Sequence, residues 1–425
     1  MTIQVALLGC LALLGLALFL ARKATVQLPT LELLWFHGAV TWPIAVKAAL
    51  GSFIFAADAD SGTSYTLVTY GPALLMSLVM LVSRLRKDAK LFGPGMWIFA
   101  GVAFSVPFTL FAGSGFTGVL PAVLLLPALL RRPAPIPLEA WFASARWSVF
   151  CVLLAVTATS FAAPENVIGL CRLDKCSVFG EVLTSPITNN GNFVGVAIAI
   201  LLPLALLGLR ATPLVLTAIV GLVVIEASGS RSAALSAWVV VVVVLLAAGN
   251  WERRKWVTFL ALACVLVASV VTAVGSFPRE FATFRGGLWA RAQELFQASP
   301  ALGYGPTFWS NQPLELSLTA NYSPHNIWLE FAVAGGVFGI LCLTFAGITL
   351  LRKVAKEERY AIVMILISLL ALGIVEAPVQ PGKFGLAPFA HLLPLIIGSA
   401  CVVAGDISKR HELAPIPIKD AALRK

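Results

Sequence analysis

Stretches of about twenty apolar residues, each long enough to cross the roughly 30 Å hydrocarbon of a bilayer as a helix, recur along nearly the whole chain of 425 residues. They fall at roughly 3–20, 33–56, 64–83, 94–112, 117–131, 147–163, 192–209, 212–227, 233–249, 256–275, 326–350, 360–377 and 386–404. A backbone inside hydrocarbon must satisfy its own hydrogen bonds, so repeated spans of this kind fold as helices. The expected fold is therefore all-α, a polytopic membrane helical bundle of about 12–13 spans forming one integral membrane domain over 1–425. Composition agrees: 59% of residues are hydrophobic and only 12% are charged, whereas soluble domains carry about a quarter charged residues.

The basic residues set the orientation. They cluster at alternate connections: Arg22-Lys23; Arg84, Arg86, Lys87 and Lys90; Arg131, Arg132 and Arg146; Arg210; Arg253-Arg254-Lys255; Arg352, Lys353, Lys356 and Arg359; and Lys409-Arg410. Positive charge is retained on the cytoplasmic side, and this alternation fits thirteen crossings with the N-terminus outside. The formal net charge of +10 is accounted for by these connections, and there is no soluble basic domain to bind nucleic acid. The first stretch is followed by Ala21-Arg22-Lys23 rather than by a small-residue cleavage site, and reads as a retained span. The stretch 31–62 is interrupted by Pro43, Lys47 and Gly51. If it is broken or re-entrant, the count becomes twelve.

In this orientation two long polar segments lie outside, at 164–191 and 276–325, and the tail 405–425 lies in the cytoplasm. The larger outer loop holds Phe277, Phe281, Phe284, Trp289, Phe296, Tyr304 and Trp309, too many aromatics for a disordered linker. It is expected to fold back on the membrane surface, with a short helix over Glu280–Phe296. Of seven cysteines, Cys10, Cys151, Cys264, Cys342 and Cys401 lie in spans or at their ends and act as small apolar residues. Cys171 and Cys176 share the first outer loop, where an oxidising compartment favours a disulfide. No His or second Cys pair accompanies them, so a metal site is not expected.

Charged groups at the membrane rim are expensive and point to function. Three places on the outer side qualify. In Ser228-Gly229-Ser230-Arg231-Ser232, Arg231 sits among small residues that leave room for a bulky ligand, with Glu226 near enough to pair. It is either a snorkelling helix-end arginine or a fixed cation for phosphate. In the large loop, Arg279, Arg285 and Arg291 lie six residues apart, a period that does not keep one helical face. Lipid headgroups or a pyrophosphate substrate would compensate them. Finally Ser323-Pro324-His325-Asn326 leads into Ile327-Trp328-Leu329-Glu330. His325 is either an interfacial anchor or a general base, since a neutral imidazole near pH 7 suits a sugar hydroxyl. His37, His391 and His411 have no comparable surroundings. No nucleotide-binding glycine loop is present, and Gly335-Gly336-Val337-Phe338-Gly339 reads as a place for close helix packing. The energy for a reaction would come from an activated substrate.

The run Arg285…Leu288-Trp289…Ser299-Pro300-Ala301-Leu302-Gly303-Tyr304-Gly305…His325-Asn326, followed by Gly336-Val337-Phe338-Gly339, resembles the O-antigen ligase and polymerase superfamily. Arg291-Ala292-Gln293-Glu294-Leu295 resembles the ligases' arginine-x-x-x-leucine element, and Ser228–Ser232 their upstream arginine motif. The best match covers about 220–345. The resemblance implies a GT-C type glycosyltransferase with no cofactor or metal. Its donor would be a glycan on undecaprenyl pyrophosphate, and its acceptor a lipid A–core oligosaccharide. His325 would be the base, and Arg231 with Arg285 or Arg291 would hold the departing pyrophosphate. Asn326, Glu226 and Glu330 would support them. The family's arginine-glycine-asparagine pattern before the span at 192 is represented only by Arg172, Lys175, Gly180 and Asn192 at loose spacing.

The implied setting is a bacterial inner membrane with the site facing the periplasm, among membrane lipids. Polymerase and protein O-oligosaccharyltransferase activities are the alternatives within the superfamily. A transporter is the alternative outside it, but it would need repeated halves and mid-span ionisable residues. Glu226, Glu330 and Glu376 instead lie near the outer rim.

Overall fold

The computed structural model describes residues 2–21, 30–54, 63–86, 90–97, 100, 126–131, 136–171, 175–185, 192–247, 251–305, 308–310, 323–354, 356–378 and 397–399. Most of the expected spans 94–112, 117–131 and 386–404 lie outside the described residues, as do Arg172 and the tail 405–425. What is described is an all-α, multi-pass membrane fold. Six helices are long and apolar enough to cross a bilayer. They are α1 (Ile3–Leu20), α2 (Leu31–Leu50), α3 (Leu67–Leu85), α4 (Leu138–Ala162), α8 (Glu252–Val274) and α10 (Ile327–Lys353). Three shorter apolar helices, α5 (Asn192–Leu206), α6 (Ala211–Ala227) and α7 (Arg231–Leu246), lie between α4 and α8. An amphipathic α9 (Phe281–Ala298) precedes α10, and α11 (Lys356–Gly373) follows it.

The bundle is organised around α5. Every residue from Phe193 to Leu206 is buried, as expected of a helix that is apolar on all sides. It packs against α4, α6, α7 and α11, while α1 lies on α4 and α6, and α8 lies on α11. Its only polar residue, Asn192, is its first, so the central helix carries an amide at one end and hydrocarbon everywhere else.

The interrupted stretch at 31–62 stays helical through Ile54. Instead of breaking at Pro43, it widens into π-helical turns at His37–Thr41 and Val46–Leu50 on either side of Trp42–Ala45. Such bulges absorb a proline without ending the helix.

The connection between α4 and α5 contains structure that the sequence does not suggest. Ile168–Leu170 (β1) and Glu181–Leu183 (β2) pair antiparallel, with Gly169 opposite Val182. The described residues between α8 and α10 fold on a core of their own. Trp289, Ala292 and Leu295 of α9 pack with Trp309, Leu329 and Val333, flanked by Phe277, Tyr304 and Phe308. The observed helix covers nearly the expected range, but Ala282, Thr283 and Phe284 have φ of 51°, 61° and 65°. A left-handed turn therefore precedes the regular helix.

The glycines at 335–339 do more than ease packing. Gly336 has φ 58° and ψ −153°, which breaks α10. The segment 300–305 fills the break: Tyr304 and Gly305 N–H groups donate to the Val333 and Ala334 carbonyls at 2.8 and 3.0 Å. In return the Pro300 and Ala301 carbonyls accept from Val337 and Phe338 at 2.8 and 3.3 Å. Backbone groups freed by a broken membrane helix must find such partners. A Cβ on Gly303 or Gly336 would collide with the opposing backbone. The order of these residues thus has a mechanical cause, a loop stitched into a split helix.

Candidate functional site

At the end of α11 the chain turns, and Glu376 lies beyond the last helical residue, Gly373. Its side chain is 1% exposed. An ionised carboxylate in such a place requires partners, and neighbouring side chains supply them. Arg285 Nη2 donates to Oε1 at 2.6 Å and Asn192 Nδ2 to the same oxygen at 3.3 Å. His325 Nδ1 meets Oε2 at 2.7 Å. Lys175 Nζ donates to Asn192 Oδ1 at 2.7 Å, which extends the chain of contacts into the loop between α4 and α5. Burial pushes the Glu376 carboxyl upward, but the charge and hydrogen bonds of His325 and then Arg285 outweigh that and hold it below the ordinary carboxylate value.

His325 is placed by everything around it. Its φ is 50°, a left-handed conformation costing about 1 kcal/mol for a residue with a Cβ. The Trp289 indole Nε1 donates to the carbonyl of Pro324 just before it, at 2.8 Å. Asn326 just after it is fully buried and caps α10, its Oδ1 accepting from the Trp328 and Leu329 N–H groups. Its Nδ2 donates to Thr272 Oγ1 at 3.1 Å and to the Ile374 carbonyl at 3.3 Å. That last contact ties the start of α10 to the turn bearing Glu376. Because a carboxylate only accepts, Nδ1 is the nitrogen that donates to Glu376, so a proton taken up or given by the ring passes through Nε2. The side chain is 27% exposed, so the ring is held in place and still open to a substrate.

Arg285 is the first regular residue after the left-handed turn of α9. Its Nη1 donates to the Ala282 carbonyl at 3.1 Å, which uses the turn to aim the guanidinium at Glu376. Its Nε is buried with no hydrogen-bond partner among the described residues. A buried, unmatched donor beside a cation and a base is suited to an incoming oxyanion.

The structure does not bring Arg291 into this group. It lies six residues further along α9, about 120° around the helix, and its Nη1 pairs with Glu294 at 3.1 Å on the exposed side. Arg231 begins α7 and is exposed. The turn before it is closed by the Ser228 cap of α6 and by Ser230, whose Oγ accepts from Ala233 N. That turn lies against the site, because the stem of Lys175 packs over Gly229, where a Cβ would approach Lys175 Cγ to 3.2 Å. Glu226 accepts from the Val178 N–H at 3.2 Å and so fastens the loop between α4 and α5 to α6. Glu330 is buried and accepts from Ser323 Oγ at 2.7 Å. Cys171 and Cys176 form a disulfide with Cα atoms 4.6 Å apart. Among the described residues no three His, Cys, Asp or Glu side chains gather where a metal ion could be held.

Three groups of this site escape a reading by motif. Glu376 registers in the sequence as a rim acid without a role, and Lys175 and Asn192 as loosely spaced residues. The signal for Glu376 was its position: an acid at the end of an apolar span needs a cation.

The family model described as O-antigen ligase matches residues 214–344, which run from within α6 to within α10. No curated protein and no solved structure matches the chain.

Proposed function

We propose, from the match of residues 214–344 to the family model described as O-antigen ligase, that this chain is an O-antigen ligase. It transfers a glycan from undecaprenyl pyrophosphate to a sugar hydroxyl of lipid A–core, at the periplasmic face of the inner membrane, without a metal ion. The acceptor oxygen bonds to the anomeric carbon of the donor as the bond from that carbon to the pyrophosphate breaks. The hydroxyl proton passes to Nε2 of His325, and the electron pair of the broken bond leaves with undecaprenyl pyrophosphate. Arg285, with its unmatched Nε, and Arg231 at the head of α7 face the charge that develops on that leaving group. Fixed cations in a low-dielectric site stabilise such charge strongly.

Glu376 does not touch substrate in this scheme. It keeps the proton on Nδ1, so that Nε2 is the base, and it stabilises the imidazolium that forms. The observation that carries the reading is the single buried carboxylate that binds both His325 and Arg285. It supports a base and an anion-directed cation working side by side.

The test is transfer in proteoliposomes supplied with carrier-linked glycan and purified lipid A–core. His325→Ala is expected to lower transfer about 10³-fold, the scale of a positioned general base, while donor still binds and chelator leaves the wild-type rate unchanged. A strict divalent requirement, or transfer by the variant at the wild-type rate, contradicts the proposal. In cells, deletion separates ligase from polymerase. Loss of all capped lipid A–core with accumulation of carrier-linked polymer supports ligation. Lipid A–core capped by single repeat units supports polymerisation.

A further inference from the structure

Lys175 stands at the meeting point of three segments that are distant in sequence. It directly precedes Cys176, whose bond to Cys171 closes the tip of the first outer loop. Its aliphatic stem crosses Gly229, whose φ of 60° keeps the turn before Arg231 tight and free of a side chain that would push the lysine away. Its ammonium reaches Asn192 Oδ1 at 2.7 Å.

That last contact decides the orientation of an amide. An ammonium only donates and a carboxylate only accepts. With Lys175 on one side and Glu376 on the other, Asn192 must turn Oδ1 to the lysine and Nδ2 to the carboxylate, as the 2.7 and 3.3 Å distances have it. Without the lysine, the hold on the Oδ1 side is lost, and the long 3.3 Å bond from Nδ2 to the Glu376 oxygen that Arg285 shares is less firmly set. Asn192 is also the first residue of the buried central helix, so the amide's backbone is fixed and its side chain is the only adjustable part.

We propose that Lys175, delivered by the disulfide-closed tip of the first outer loop, is a positioning residue for the transfer reaction. It sets the Asn192 amide, the amide sets Glu376, and Glu376 sets His325 and Arg285. This rests on the ligase reading above. It adds to that reading a loop lying outside the matched stretch 214–344, and the disulfide then serves to hold one ammonium in register with a helix end. The loop is fastened as well by the β1–β2 pairing at its base and by the Val178 N–H on Glu226.

The test uses full-length protein in proteoliposomes, with lipid A–core saturating and the carrier-linked donor varied. Lys175→Met is expected to lower kcat about tenfold, since small misplacements of reacting groups are costly, while the donor KM stays within about twofold. Lys175→Arg is expected to recover most of the rate. A phosphine reductant that opens the disulfide of wild-type protein is expected to lower kcat to the level of Lys175→Met, and to leave Lys175→Met unchanged. A disulfide that serves only to stabilise the loop would lower both alike, which overturns the inference, as does a Lys175→Met variant as fast as wild type.

Should Lys175→Met not be recovered in the membrane, the wild-type arm decides alone. Verified reduction, with the thermal midpoint retained, must lower kcat and reoxidation must restore it; an unchanged rate refutes the proposal. Wild-type protein that transfers nothing fails the ligase reading itself. Transfer by wild type with no effect of Lys175 fails only this inference.

Discussion

The stretch 214–344 and the residues flanking it contribute different things to the candidate site. Within the stretch lie His325, Arg285 and Arg231, the groups to which proton transfer and charge stabilisation are assigned. Outside it lie Lys175, Asn192 and Glu376, and hydrogen bonds of 2.6–3.3 Å join this second set internally and to His325 and Arg285. The first set carries recognisable spacing; the second carries none, because its members come from a loop tip, a helix start and a helix end. A buried charge has to be compensated by whatever the bundle brings beside it, wherever that lies in the chain. Reactive groups and the groups that hold them are therefore selected by different constraints, and only the first leave a pattern in linear sequence.

The two arginines of α9 offer the sharpest contrast inside the matched stretch. Arg285→Ala is expected to lower transfer about 10²-fold, the scale of losing one fixed donor to a developing oxyanion. Arg291→Ala should change it by less than about twofold, as befits an exposed i,i+3 pair with Glu294. Initial rates in the same proteoliposomes decide the matter, and equal losses from the two would erase the distinction.

A smaller effect is expected at Asn326. Its Oδ1 accepts from two N–H groups of the first turn of α10, and Asn326→Ala should cost about 1 kcal/mol of stability, the usual value of a lost helix cap. Its second bond, to the Ile374 carbonyl, predicts that some activity is lost as well. A thermal midpoint in detergent, read beside the transfer rate, separates the two.

The smallest effect concerns pH. Glu376 is held below its ordinary value of 4.5 by His325 and Arg285 against the upward push of burial. A carboxylate of this kind contributes stability that is present above its unfolded-state value and lost as pH falls through its folded-state value. Thermal midpoints should therefore drop as pH falls below 4.5, and Glu376→Gln should flatten that drop. A variant with the same acid dependence as wild type would show that the stability resides in other carboxylates.

How much of this could be read beforehand varies with the physics involved. Within the described residues the long spans were legible, because hydropathy over twenty residues is a strong signal. The helix at 281–298 was nearly so, because its aromatics need a core. The span at 33–56 was legible too, and the break that Pro43 left open as the alternative is absorbed by two π-helical turns. The glycines at 335–339 looked like packing residues, and only the inserted segment 300–305 shows that they split the helix. In the site, His325, Asn326 and Arg285 stood out by residue type and position. Arg291 stood out equally, although a spacing of six already carries it away from the face of Arg285. Glu376 could not be assigned a role until α11 was seen to end beside the start of α10.

The central claim is that one buried carboxylate makes His325 a base. The direct measurement is a double-mutant cycle of His325→Ala and Glu376→Gln, followed by radiolabelled transfer sensitive to about 10⁴-fold losses. Glu376→Gln alone is expected to lower the rate about 10²-fold and to add almost nothing once His325 is gone. Losses that multiply in the double variant would mean that the two residues act independently, and the arrangement around Glu376 would then not be what drives the chemistry.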